Sequence, residues 1–179
     1  MPRYQMFWHE LPRICLVAGM AIILLGQPLA LLAGSPDLSL PDLDGKPHAL
    51  SEYIGKGKWT IVNVWGPRCP PCQEELPELV RFHDEHYKTD ATVLGIALDY
   101  PSFGAADPDE VRTFADAYLV SFPILLGNDV MFDKFNAGPL LGMPTTLAYN
   151  PEGELVGVQV GAVTRKIIED FIRKNSSGN

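Results

Sequence analysis

Three cysteines in 179 residues are too few to build a disulfide-rich scaffold. Only two are spaced as a pair: Cys69 and Cys72 form a single C-x-x-C, and no second pair exists to complete a four-cysteine zinc site. Positive charge is also scarce. Fourteen Lys and Arg stand against 22 Asp and Glu, for a net charge of −8. Residues 1–34 hold only Arg3, Arg13 and Glu10, which leaves 12 basic against 21 acidic side chains in the rest. So acidic a chain is repelled by phosphate backbones and anionic lipid heads, which argues against nucleic acid as a partner. A P-loop and a G-x-G-x-x-G are both missing, so nothing points to a nucleotide. Internal repeats and low-complexity tracts are absent too. With 46% hydrophobic and 20% charged residues, the composition is that of a globular chain.

What is present begins with a run from Ile14 to Ala33 that carries no charge and only Gln27 as a strongly polar residue. Arg3 and Arg13 precede it, and Asp37, Asp42 and Asp44 follow, the order that keeps the start cytoplasmic and sends the rest across. A retained anchor of about 20 residues matches the bilayer core. A cleaved signal normally has a shorter apolar region, and the best cleavage point here, after Ala33, has the bulky Leu31 two residues before it. A buried core helix seldom lacks polar residues on every face. The expectation is an anchor or signal segment over residues 1–34 and one domain over 35–179. Cys15 is then an apolar filler in the segment.

Beyond it, Asp44-Gly45 marks a turn between short extended pieces, and Ser51 is placed to cap a helical turn through Ile54. Trp59 to Val64 reads as a buried strand. Leu76, Leu79, Val80 and His83 share one face of a helix from about Pro70 to Tyr87, with Pro77 inside it. Thr92 to Leu98 and Phe122 to Leu126 are further strands. Asp107-Pro108-Asp109-Glu110 reads as an N-cap, a first-turn proline and the acid of a capping box. Asn128 or Asp129 starts a helical turn through Phe135. Thr145 to Tyr149 and Glu154 to Val160 flank a turn at Asn150-Pro151-Glu152-Gly153. Thr164 caps a last helix whose Ile167, Ile168, Phe171 and Ile172 are expected to face inward. The class is α/β with a mixed central sheet flanked by helices.

The informative stretch is Asn63-Val64-Trp65-Gly66-Pro67-Arg68-Cys69-Pro70-Pro71-Cys72. A strand leads into a turn, and the cysteines fall where a helix begins. Unpaired N–H groups and the macrodipole at a helix N-terminus favour a thiolate at Cys69, while Cys72 lies one turn in, close enough to close a disulfide. First-turn prolines are tolerated because those nitrogens have no helical partner to lose. On this reading Cys69 attacks and Cys72 resolves. The pair alone also suits an inert disulfide or part of a metal site. Gly142-Met143-Pro144-Thr145 supplies a second feature much later in the chain. Glu75 shares a helical face with Cys72; near the sulfurs it would raise the second thiol's pKa or take its proton, whereas on the surface it would be solvated like Glu74.

These residues resemble the thioredoxin superfamily, and within it the TlpA/ResA-like membrane-anchored thiol–disulfide oxidoreductases, over roughly residues 36–174. The resemblance implies a cis bond before Pro144, a substrate-binding backbone at Met143, and a strand–helix insertion before that proline, with the helix at Asp107 as its best candidate. Cys72, Glu75 and Pro77 match the family's Cys-x-x-Glu-x-Pro. Asn63 stands where cytoplasmic thioredoxins carry a buried aspartate, as is frequent in this group. Arg68 departs from the family, which has Trp before the first cysteine; its cation is expected to favour the Cys69 thiolate and to select acidic partners. Trp65 is expected in the core or along the substrate groove. The family further implies protein thiols and disulfides as substrates and no metal or organic cofactor. A membrane electron donor of the DsbD or CcdA type, reduction in the bacterial periplasm, and apocytochrome c as a possible substrate follow from it too.

Rival classes are weighed on the same residues. Copper-handling relatives of the fold space their cysteines by three and add a distant histidine. A peroxidase of the peroxiredoxin kind needs threonine where this chain has Gly66. A non-catalytic binding domain would keep Cys69–Cys72 as a structural disulfide. His83 and His86 lie one helical turn apart, but no third metal ligand is evident beside them.

Overall fold

The computed structural model describes residues 35–176. The segment expected over residues 1–34 lies outside them. Among the described residues no helix is long and apolar enough to cross a membrane.

In chain order the elements are β1 (Ser39–Pro41), β2 (Pro47–Ala49), β3 (Trp59–Trp65), α1 (Pro70–His86), β4 (Ala91–Ala97), α2 (Pro108–Ala117), β5 (Ile124–Leu126), β6 (Thr145–Tyr149), β7 (Leu155–Val160) and α3 (Arg165–Ser176). Helical turns at Leu50–Glu52 and Asp129–Phe135 complete the set. β1 and β2 form a separate hairpin, and the other strands form one sheet in the order β5-β4-β3-β6-β7. β3 and β5 run parallel to β4, whereas β6 is antiparallel to both β3 and β7, so the sheet is mixed.

The central position of β3 follows from its composition. All seven residues are buried, as a strand covered on both faces requires. Alternation divides its side chains: Ile61 joins one apolar cluster with Leu76, Leu79, Phe82 and Ile168, while Val62 and Val64 join another with Leu94, Ile96 and Leu147. The mixed α/β sheet is thus built on a strand legible as a β-branched run.

Three local expectations are corrected. The first helical turn is entered from Ala49, whose N–H is accepted by the Glu52 carboxylate at 2.9 Å, and Ser51 lies inside the turn rather than capping it. Asp107 does cap α2, accepting from the Asp109 N–H at 2.9 Å, but Glu110 closes no capping box because its carboxylate turns to Arg68. In α3, Ile168 and Ile172 are buried whereas Ile167 is exposed, since neighbouring positions diverge by about 100° around a helix. Thr164 does cap that helix, through the Ile167 N–H at 3.3 Å.

Candidate active site

β3 ends at Trp65 and the chain turns through Gly66 and Pro67. The turn runs against the end of β4: the Leu98 N–H donates to the Trp65 carbonyl at 2.8 Å. A Cβ on Gly66 would sit 2.5 Å from the Leu98 oxygen, so this approach is open only to glycine. The Cys69 N–H returns to the Gly66 carbonyl at 3.1 Å, and Cys69 becomes the N-cap of α1.

Cys69 and Cys72 are joined as a disulfide with Cα atoms 5.3 Å apart. Both are buried, between the exposed Arg68 and Pro70 on one side and the apolar cluster that holds Trp65, Leu98 and Met143 on the other. Pro70 and Pro71 occupy the first two helical positions and carry no N–H. The Cys72 and Gln73 N–H groups both donate to the Cys69 carbonyl, at 3.0 and 3.1 Å. The free donors anticipated at this helix end are therefore replaced by proline nitrogens or already engaged. The macrodipole and neighbouring charges remain to stabilise a thiolate.

The bond before Pro144 is cis, as the resemblance implied. The loop carrying it is pinned by Thr145 Oγ1 donating to the Gly142 carbonyl at 2.7 Å and the Gly161 N–H donating to the Pro144 carbonyl at 2.8 Å. Met143 reaches the cysteine turn: its Cε is 3.4 Å from where a Cβ on Gly66 would stand.

Glu75 is 2% exposed. One carboxylate oxygen accepts from Asn63 Nδ2 at 2.8 Å and the other from the Val163 N–H at 2.8 Å. Burial raises its pKa to about 7, and the two hydrogen bonds only partly oppose that rise. Asn63 Nδ2 also donates to Thr146 Oγ1 at 3.1 Å, while Asn63 Oδ1 is buried without a partner among the described residues. Sequence reasoning missed Thr146 and Val163. Thr146 stands opposite Asn63 in the β3–β6 register, a pairing no local pattern announces, and Val163 contributes only a backbone N–H.

Arg68 is not a free cation. Its guanidinium pairs with Asp99 and lies 3.4 Å from Glu110. Trp65 is wholly buried and tilted against Phe114, with ring centroids 5.4 Å apart, so it supports the turn from within the core.

The two histidines of α1 do not converge. His83 Nδ1 accepts the Val93 N–H at 3.2 Å, and burial pushes its pKa down, so the ring is neutral with its proton on Nε2. His86 faces Asp90 at 2.9 Å and Glu169 at 3.7 Å. Glu85 and Glu169 lie beside His86, but Arg165 already bonds Glu85 at 2.6 Å and approaches Glu169 at 3.5 Å.

Residues 33–158 match the AhpC/TSA family. Thiol-disulfide oxidoreductase ResA of Halalkalibacterium halodurans is 32% identical over 134 residues, covering 74% of this chain and 70% of the relative. ResA of Bacillus subtilis is 33% identical, covering 77% and 72%. Among solved structures, a thioredoxin-family thiol:disulfide interchange protein from Chlorobium tepidum is 25% identical with a TM-score of 0.66, covering 79% of this chain and 94% of that one. A secreted thiol-disulfide isomerase from Corynebacterium glutamicum is 26% identical with a TM-score of 0.64, covering 76% and 81%. The chain belongs to the AhpC/TSA family and, within it, is a thioredoxin-like thiol–disulfide oxidoreductase of the ResA type.

Proposed function

We propose that the protein reduces disulfides of extracytoplasmic protein substrates through Cys69 and Cys72. The Cys69 thiolate attacks one sulfur of a substrate disulfide; a mixed disulfide forms, and the other substrate sulfur leaves and takes up a proton. Cys72 then loses its proton to the Glu75 carboxylate and attacks Cys69 Sγ. The Cys69–Cys72 bond closes as the Cys69–substrate bond breaks, the second substrate sulfur leaves as a thiolate and takes up the proton held by Glu75, and two electrons have passed to the substrate. No metal or organic cofactor enters these steps. Met143 and Pro144 present the backbone edge on which a substrate strand would lie.

The single observation that carries this reading is the Cys69–Cys72 disulfide at the start of α1, with the carboxyl of Glu75 buried three residues further along. A group with a pKa of about 7 both accepts and returns a proton near neutral pH. The charge order around residues 14–33 supports a location beyond the cytoplasmic membrane, with that segment as anchor or, if cleaved, as signal. Re-reduction then requires a membrane dithiol donor of the DsbD or CcdA type, and an apocytochrome c is a fitting substrate.

A redox titration of the full-length protein, read by thiol alkylation and mass, tests the proposal. A reversible two-electron transition near roughly −250 mV or below supports a reductant. A value near about −120 mV reverses the direction to oxidation. A pair that cannot be cycled removes the catalytic reading altogether.

A further inference from the structure

Arg68 is the cation adjacent in sequence to Cys69, and the structure shows what holds it. Its guanidinium pairs with Asp99, which follows β4, while its Nε faces Glu110 on α2 at 3.4 Å. Asp99 is itself fixed. Its second carboxylate oxygen accepts from Ser102 Oγ, its N–H donates to the Gly104 carbonyl at 2.9 Å, and its carbonyl accepts the Phe103 N–H at 3.0 Å. The Leu98–Ala105 bridge closes the same loop. Ser102 and Arg68 hold the Asp99 carboxyl below the usual carboxylate range, so it is ionised at neutral pH.

The clasp matters because no first-turn N–H group is left free to act on Cys69, so charge and the macrodipole must do so. Two proline nitrogens and two engaged N–H groups occupy the first turn of α1. Arg68 precedes Cys69 in the turn and carries with it Asp99, after β4, and Glu110, on α2, while Glu74 and Glu75 follow Cys72 on α1. The loop from Gly138 to Pro144 carries no charge. The Arg68 cation is drawn toward the carboxylates of Asp99 and Glu110. Its side chain is 58% exposed, so as a stability device the pair counts for little.

We propose that Asp99 and Glu110 are positioning residues that set the reactivity of Cys69 by holding the Arg68 guanidinium on the side of the β4–α2 loop. Held there, the cation is compensated and adds little to the stabilisation of the Cys69 thiolate. Released, it turns toward Cys69 and favours the thiolate. The inference rests on Cys69 as the attacking thiol.

The test is the pH dependence of alkylation of each cysteine in the reduced full-length protein, with each site resolved by mass. Asp99→Asn is expected to lower the Cys69 pKa so that the thiolate fraction below that pKa rises roughly threefold, about half a pH unit. Glu110→Gln should act in the same direction and more weakly, which covers the case in which the Asp99 variant folds poorly. Asp99→Glu should restore the original value. The decisive comparison places Asp99→Asn in an Arg68→Gln background, where the drop should vanish. A drop that persists there would show that Asp99 acts directly on Cys69 and would overturn the proposal, as would a Cys69 pKa that none of these changes moves. If Cys72 proves the more reactive thiol, the assignment of Cys69 as attacker fails and the clasp proposal falls with it.

Discussion

The side-chain amide of Asn63 donates to the Glu75 carboxylate at 2.8 Å, from a strand on which every residue is buried. That donor favours the charged form of Glu75, whereas burial, the larger influence, favours the neutral form. Replacing Asn63 by leucine keeps the site filled and dry but deletes the donor. The Glu75 pKa should then climb above about 7, and the acid limb of the pH–rate profile for resolving a mixed disulfide should move up with it. Carbon-detected NMR of the Glu75 carboxyl and stopped-flow rates would check this. An unchanged or lower Glu75 pKa would count against the network.

Glu75 also leaves a mark on stability. Its pKa is raised from 4.5 to about 7 in the folded chain, so between those values the native state binds more protons than the unfolded state. Stability therefore falls as pH rises through that window. Keeping the group ionised above pH 7 costs the fold about 3 kcal/mol, at 1.36 kcal/mol per tenfold change in proton affinity. Glu75→Gln should remove this dependence and be the more stable form at pH 8. The unpartnered Asn63 Oδ1 can rotate to receive the new amide N–H. Urea unfolding at pH 5 and pH 8 reads the difference; an equal change in unfolding free energy between the two pH values for both proteins would contradict it.

Gly66 is fixed by the Leu98 carbonyl. A methyl group there meets a backbone oxygen at 2.5 Å, which no flexible side chain can relieve. Gly66→Ala should destabilise the protein by about 1–3 kcal/mol through overpacking and displace the cysteine turn. A thermal melt and a disulfide-exchange assay on the same sample would show both losses together.

A separate pH response belongs to the β1–β2 hairpin. His48 bridges Asp42 at 3.1 Å and Glu52 at 2.9 Å. The Glu52 and Asp42 hydrogen bonds raise its pKa; the Lys46 backbone N–H, then the Asp44 N–H and the His48 ring, lower that of Asp42, and His48 with the Ala49 N–H lowers that of Glu52. The histidine contribution is full below its unfolded pKa of 6.5 and is lost as pH rises through the higher folded value. The carboxylate contributions are present above 3.8 and 4.5 and are lost as pH falls through the lower folded values. The protection factors of the Leu40 and His48 amides, which correct exchange for its intrinsic base catalysis, should therefore be highest in the mildly acidic range and fall above it. A His48→Gln variant should show no such alkaline loss of protection.

Much of this was legible in the chain. The β-branched run of β3, the apolar spacing on α1 and the Asp107 cap are local signals, and each placed its element within one or two residues. The cysteine pair and Pro144 carried the site by resemblance. What stayed hidden depends on contacts between distant residues. Glu75 was visible as a candidate acid, but its partners Asn63 and Val163 lie 12 and 88 positions away, and they distinguish a buried carboxyl from a solvated one. Glu110 fitted a capping box by spacing, yet Arg68, far back in the sequence, captures it. Ile167 is as apolar as Ile168 yet exposed, because apolar character does not say which of two adjacent helical positions meets the core.

The roles of the two cysteines are tested most directly by trapping. Full-length protein carrying Cys72→Ser, reduced and mixed with oxidised insulin, should accumulate a mixed disulfide at Cys69, visible by non-reducing electrophoresis and located by mass. The Cys69→Ser protein should capture nothing under the same conditions. Capture through Cys72 instead, or by neither variant, would contradict the assignment of Cys69 as the attacking thiol and Cys72 as its resolving partner.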